Sequence, residues 1–279
     1  MKYIISASRR TDIPAYYLPW FIERLREGYV DVANPLYRKQ INRVSLRPDE
    51  VEWIVFWSRN YGPFLKQRTH FKAYNLFFHF TILSRSMLEK NGLPLPMLIK
   101  QLEQLAHLYG AERIIWRYDP LVYWEEAGKP QTNYNPSDFE YLCRAVAQTG
   151  VKRCYFSFAY PYGKFISRFR KKFGNSLIIK KSVHEQHEIT RELKAVADSY
   201  GLTLYSCCND TLLSVKGIQK GRCIDGKLLN LLRGEKTVSE AMAPTRQDCG
   251  CTRSFDIGAY VQHPCHTGCL YCYANPIWQ

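Results

Sequence analysis

Cys265, Cys269 and Cys272 are spaced C-x3-C-x2-C near the end of the sequence, in CHTGCLYC, and Cys249 and Cys251 stand just upstream. Half of the ten cysteines of the chain therefore fall within its last thirty or so residues. Thiolate sulfur is a soft ligand, and several thiolates close in sequence point to zinc or to an iron–sulfur cluster. A disulfide framework fits poorly. The first residues, MKYIISASRRTD, hold too short an apolar stretch for a secretion signal, and free thiols persist in a reducing cytoplasm, the expected compartment.

Three thiolates on one short loop can hold three corners of a 4Fe-4S cluster. The fourth iron then takes a non-protein ligand, and an open metal position marks catalytic rather than structural sites. Zinc sites prefer paired C-x2-C knuckles, and an electron-transfer cluster would need a fourth cysteine from elsewhere; the spacing alone leaves both open. Gly268 would relieve crowding where the loop folds. Cys143, inside a helical pattern, and Cys154, inside a strand, read as core thiols. Cys208 (or its neighbour Cys207), Cys223, Cys249 and Cys251 lie in or beside turn-rich segments and make up the ligand set for a second metal centre, iron–sulfur or zinc. His263 and His266 flank Cys265, where they could replace a ligand, place a proton or simply pack.

The elements that must position these groups follow a strand–helix rhythm. Tyr3 to Ser8 reads as a buried strand, and Asp12 caps a helix from Ile13 and Pro14 to Gly28. Tyr29 to Ala33, closed by Asn34 and Pro35, reads as the next strand, followed by strands at Trp53–Trp57, Asn75–Ile82, Arg113–Arg117, Lys152–Phe158 and Leu202–Ser206. Helices are expected at Met97–Tyr109, after a capping box of Ser137 and Glu140, and at Glu185–Tyr200. Apolar strands alternating with helices predict a parallel sheet covered by helices. About seven units, with no glycine-rich turn after the first strand, favour a TIM-barrel-like (β/α) barrel over a dinucleotide-type open sheet.

In such a barrel the site lies at the C-terminal strand ends. Those ends are polar here: Arg9, Arg10, Asp12, Asn34, Arg59, Asn60, His79, Arg117, Asp119, Asn209 and Asp210. After Asp210 the rhythm breaks, glycines mark turns, and Thr237–Ala241 is expected to start a short helix. The expected organisation is a barrel over 1–210 and a cysteine-rich segment over 211–279, packed across the C-terminal ends of the strands. A net charge of +14 favours anionic partners, nucleic acid or a small anionic substrate among them. The densest basic run, Arg168, Arg170, Lys171 and Lys172, fits a solvated helix face as well as a nucleic-acid site. No apolar run reaches membrane-spanning length.

The stretches SASRRTDIPAYY, VFWSRN, WRYDP, CIDG, CGC, DIGAY and CHTGCLYCYAN, spread over nearly the whole chain, resemble a bacterial family with a domain of unknown function, 1848. Its C-terminal cysteine cluster in turn resembles the N-terminal one of radical S-adenosylmethionine (radical SAM) enzymes. That resemblance implies a 4Fe-4S cluster on Cys265, Cys269 and Cys272, S-adenosylmethionine as cofactor, its reductive cleavage to start radical chemistry, and an electron donor such as a flavodoxin or ferredoxin. Tyr271 matches the aromatic residue near the adenine in those enzymes, and Tyr273 is a second candidate for that contact. Arg9, Arg10, Arg59, Arg117 and Asp119 are candidates for holding the cofactor or an anionic substrate. The chain departs from the general radical SAM pattern in carrying the loop at its end and in lacking a glycine-glycine-glutamate-type stretch. Two other readings stand beside this one: a metal-stapled nucleic-acid-binding module, and an electron carrier without S-adenosylmethionine chemistry.

Overall fold

In the computed structural model, which describes residues 1–34, 37, 39–174, 176–244 and 246–278, Tyr3–Ala7 (β1) leads through a π-helical turn, Ile13–Tyr17, into Leu18–Glu27 (α1). Asp12 accepts from Ala15 N at 3.0 Å to start the turn, and Gly28 ends α1 at φ +79. Tyr29–Ala33 (β2) and Ile41–Ser45 (β3) form a hairpin. There follow Val51–Ser58 (β4), Gly62–Gln67 (α2), Asn75–Thr81 (β5), Leu95–Tyr109 (α3) and Ile114–Leu121 (β6). Next come Tyr123–Glu126 (β7), Lys129–Thr132 (β8), Pro136–Gln148 (α4), Arg153–Phe158 (β9), Gly163–Phe173 (α5), Leu177–Ile178 (β10), Val183–Ser199 (α6) and Thr203–Cys207 (β11). The tail adds Gln219–Gly221 (β12), Gly226–Arg233 (α7) and Phe255–Asp256 (β13).

The main sheet has eight strands in the order β12-β11-β9-β6-β5-β4-β1-β13, and all its pairs are parallel. From β1 to β12 each sheet strand lies beside its predecessor, so among the described residues the strand order shows no reversal point of a doubly wound sheet. β13, from the tail, pairs with β1 on the other edge. Among the described residues β12 and β13 do not pair with each other, so the fold is an α/β fold on a large parallel sheet with two edges.

Side chains alternate between two buried faces. Ile5, Ile54, Phe56, Phe78, Ile114, Trp116 and Phe156 join the core formed with the helices. Their neighbours Ile4, Trp53, Val55, Phe77, Ile115 and Tyr155 pack instead against Ile224, Leu229, Val238 and Cys251 of the tail. Burial on both faces is why these strands read as continuous apolar runs.

Several expectations need correction. β2 is not a strand of the main sheet. It alternates, with Val30 buried and Asp31 turned out to pair with Arg43 at 2.8 Å, the pattern of a hairpin covered on one face. Pro35, read as its stop, lies outside the described residues. Asn135, not Ser137, caps α4, because Pro136 takes the first helical position. The capping box stands instead at Ser182 and Glu185, heading α6. Thr237–Ala241 is not helical: Val238 bridges to Lys2, and the Asn230 side chain accepts from Thr237 N and Val238 N at 3.0 Å each. β6 runs on through Asp119 and Pro120, so Arg117 lies within the strand.

Candidate metal centres

The cysteine loop is set by backbone bonds from several directions. Cys265 N donates to Asn275 O at 3.1 Å, and Ile277 N to Cys265 O at 2.7 Å. The segment after β5 lies alongside: Leu270 N donates to Leu88 O at 2.8 Å, Lys90 N to Gly268 O at 3.2 Å and Asn91 N to Thr267 O at 3.1 Å. α5 closes the other side, Phe165 and Phe169 packing with Leu270. Arg168 donates to Leu270 O at 3.0 Å and also to Cys272 O. Lys164 reaches Asn275 and Lys172 reaches Met87 O. Three members of the basic helix thus hold the loop and its surroundings. Gly268 sits at φ +68, with a Cβ position 2.9 Å from Lys90 Cβ, as its place in the loop predicts.

Around the loop stand charged groups from the strand ends. Asp12 is buried and accepts from Ser58 Oγ at 2.7 Å and Arg59 N at 2.9 Å. Burial pushes its carboxyl up to about 6, against the lowering effect of those donors. The Arg59 guanidinium donates to Tyr271 Oη at 3.0 Å and pairs with Glu89, which also accepts from the Tyr271 hydroxyl. Arg9 N donates to Asp256 at 2.9 Å, and Ser6 and Ser8 donate to the same carboxylate at 2.7 Å each. Arg10 donates to Gly258 O at 3.0 Å, and Tyr273 donates to Arg9 O. Burial raises the Cys265 thiol to about 11 and raises Cys269 and Cys272 as well. Cys265 feels the charge of Cys272, and Cys269 feels those of Cys272 and Cys265. A cavity of about 110 Å³ opens beside the loop, lined by Tyr16, Arg59, Asn60, Arg85, Glu89 and Thr267 among others. That is below the ~300 Å³ at which pockets for drug-sized ligands begin.

The second set gathers on the tail-covered face. Cys207 Sγ and Cys223 Sγ are 3.4 Å apart, Cys251 and Cys249 pack in one cluster with Cys223, and Cys251 Sγ accepts from Ile224 N at 3.5 Å. Cys208 turns away, its Sγ facing Gln247 O at 3.5 Å and its φ at +58. Arg117 and Asp119 belong here rather than at the loop: Arg117 is bonded to Asp119 and donates to Cys223 Sγ at 3.0 Å and Cys207 Sγ at 3.8 Å. His79 is fully buried and stacks on Trp57 at 4.8 Å. Its Nε2 donates to Cys223 O at 2.7 Å. Burial, then the Arg117 charge, pushes its pKa down to about 3, so it is neutral.

Cys143 and Cys154 are buried in the core, as expected. His263 packs its ring on Trp20 at 4.3 Å and Tyr17 at 4.8 Å, and His266 lies 5.2 Å from the Tyr16 ring. Sequence reasoning missed Glu89, Asp256 and Ser157, the last a donor to Asp119. Among the described residues, no three His, Cys, Asp or Glu side chains converge on one point as a ready-made ion site. The donor chemistry nonetheless fits thiophilic metal, since both sets consist of soft sulfur ligands gathered from a loop or from distant segments.

Among the described residues no helix is long and apolar enough to cross a membrane. No curated protein is significantly similar to the chain. Among solved structures it is similar to a D-hydantoinase from Bacillus sp. AR9 at 12% identity and a TM-score of 0.33, over 60% of this chain and 36% of that one. It is also similar to a further D-hydantoinase structure at 12% identity and a TM-score of 0.32, with the same 60% and 36% coverage. The chain therefore spans about a third of the length of those enzymes. Residues 4–274 match the family described as Domain of unknown function (DUF1848), and the chain belongs to that family.

Proposed function

We propose that this protein is a radical SAM-type iron–sulfur enzyme on a barrel-like α/β scaffold, acting on an anionic substrate in a reducing cytoplasm with a flavodoxin- or ferredoxin-like electron donor. The observation that carries this reading is the Cys265–Cys272 loop itself. It carries three thiols in C-x3-C-x2-C spacing on a loop held by backbone bonds, beside the charged ends of β1 and β4. Of the remaining thiols, Cys143 and Cys154 lie in the core, Cys207, Cys223, Cys249 and Cys251 belong to the second set, and Cys208 faces Gln247 O. Cys265, Cys269 and Cys272 would hold a 4Fe-4S cluster, which when loaded supplies the electron for reductive cleavage of S-adenosylmethionine.

The chain's own residues bind and orient. Arg59 and Glu89 lock the Tyr271 hydroxyl and so aim its ring beside the loop. Asp256 pairs with Arg9 and Arg10 at 3.6 and 3.7 Å and sets them at the end of β1, and the one positive charge left over is where a cofactor carboxylate or anionic substrate would meet them. Arg168 anchors the carbonyls of Leu270 and Cys272, which fixes the spacing between the second and third thiols.

The test is anaerobic reconstitution of the full chain with iron and sulfide, then reduction and incubation with S-adenosylmethionine. The expected result is release of 5′-deoxyadenosine that is lost in Cys269→Ala. Well-formed clusters that neither bind nor cleave S-adenosylmethionine would replace this reading with the electron carrier. Zinc bound at the loop with no cluster would replace it with the metal-stapled nucleic-acid-binding module.

A further inference from the structure

Two thiols from distant stretches stand 3.4 Å apart on the tail-covered face of the sheet, and two more share a packed cluster with the second of them. Cys207 ends β11, Cys223 follows β12, and Cys249 and Cys251 come from the tail. Their meeting is built by the backbone. Thr252 N donates to Ile224 O at 2.9 Å, which ties the segments carrying Cys223 and Cys251 together, and Ala243 N holds Cys251 O at 2.9 Å from the other side.

Arg117 gives the independent observation. It is only 7% exposed, and one carboxylate, Asp119, answers its charge. The rest of its guanidinium faces the sulfurs of Cys223 and Cys207. A neutral thiol is a weak acceptor, and a buried cation aimed at two sulfurs is well compensated only when they carry charge. Several thiolates packed together repel one another unless a cation sits among them. Four thiolates around a divalent ion leave two surplus negative charges, and a neighbouring guanidinium offsets part of that surplus.

We propose that Cys207, Cys223, Cys249 and Cys251 form a second, four-thiolate centre for a thiophilic metal, zinc or an iron–sulfur cluster, with Arg117 as its charge-compensating neighbour. The ligand from the adjacent pair is Cys207, not Cys208. Loading replaces each S–H proton by a bond to the metal and releases the protons to solvent. A tetrahedral zinc site with Zn–S of about 2.3 Å places sulfurs about 3.8 Å apart, so the 3.4 Å pair opens by a few tenths of an ångström on loading. The proposal does not rest on the function assigned to the Cys265–Cys272 loop.

The test uses the full chain with Cys265, Cys269 and Cys272 all changed to Ala, so that failure at the loop and failure at this centre are read separately. Zinc, iron and acid-labile sulfide are counted per chain after anaerobic purification, and the ratio of iron to zinc distinguishes the two occupants. Metal should remain in this background, drop by roughly tenfold or more when Cys223→Ser or Cys207→Ser is added, and persist with Cys208→Ser. Arg117→Gln should keep the metal but weaken its retention against a chelator by roughly tenfold, the scale of outer-shell effects. Because misfolding of a Cys223 variant would also release metal, alkylation of the unaltered chain is mapped by mass spectrometry before and after chelation. The four thiols should be protected until metal is stripped. A folded, metal-free chain whose four thiols alkylate freely would overturn the proposal, and so would a Cys207–Cys223 disulfide in place of metal. Loss of metal in Cys208→Ser but not in Cys207→Ser would overturn the ligand assignment.

Discussion

Asp12 gives a stability prediction with a definite sign. Its carboxylate is buried at the junction of β1, the π-helical turn and the end of β4, and its pKa stands at about 6 against an ordinary 3.8. Between those values the folded chain binds a proton that the unfolded chain does not. Stability therefore falls as pH rises through this window and levels off above it. Between pH 5 and pH 7.5 this one group should cost about 1.4 kcal/mol, roughly tenfold in the folding equilibrium. Asp12→Asn removes the titration. It also turns an amide N–H₂ toward one of three donors, which costs about 1–2 kcal/mol at every pH. The absolute stability of the variant is thus uninformative, and its pH slope is the readout. The assay is urea unfolding of the reduced wild-type and Asp12→Asn chains at matched pH values, so that all other titrations cancel in the difference. With an m-value of about 3 kcal/mol/M, the gap between the two midpoints should change by about 0.5 M over this range, the wild type gaining relative to the variant as pH falls. A flat difference, or one that widens the other way, would refute the placement of an ionisable, desolvated carboxylate at this junction.

Two further perturbations bear on the tail. A Cβ on Gly226 would stand 2.3 Å from Ser239 O, a backbone atom, so Gly226→Ala should lower stability by about 1–3 kcal/mol, read as an earlier thermal midpoint. An unchanged midpoint would mean that α7 does not pack so closely on the following chain. Arg168→Ala removes two hydrogen bonds to loop carbonyls from a partly buried cation, so Cys272 should alkylate several-fold faster, with stability changed by only about 1–2 kcal/mol. Equal alkylation rates would show that α5 does not restrain the loop.

The parallel strands were legible because burial on both faces makes them uniformly apolar, as in VEWIVFWS and NLFFHFT. The hairpin of β2 and β3 was misread because a five-residue alternating strand says which face is buried, not which partner it takes. The basic run on α5 was ambiguous by charge. Its apolar positions Phe165 and Phe169, four apart, carried the information that this helix packs on something, here Leu270. Cys207 was distinguishable from Cys208 by strand phase: Tyr205 packs on the tail-covered face, and Cys207, two residues on, shares that face. Glu89 and Asp256 left no such trace. Each is a single acid whose partners, Arg59 and Tyr271 in one case and Ser6, Ser8 and Arg9 in the other, are brought to it only by tertiary structure.

The way the loop is held bears on why its thiols are there. Where metal serves as a staple, the ligand segment has little else to organise it, and binding energy is folding energy. The Cys265–Cys272 loop is different. Its carbonyls and amides are bonded to Leu88, Lys90, Asn91, Asn275 and Arg168, Tyr17 donates to Pro264 O at 2.6 Å, and Leu270 is fully buried. These contacts would set the loop's path without a metal. A loop that buries Cys269 and half-buries Cys265 and Cys272, beside paired charges, is what the proposed chemistry would call for. The burial that raises those thiols also keeps them as unreactive S–H groups until a metal displaces the protons. On the proposed reading the loop's path is supplied by hydrogen bonds and packing, so a chain stripped of metal should keep its fold, whereas a metal-stapled module would lose it.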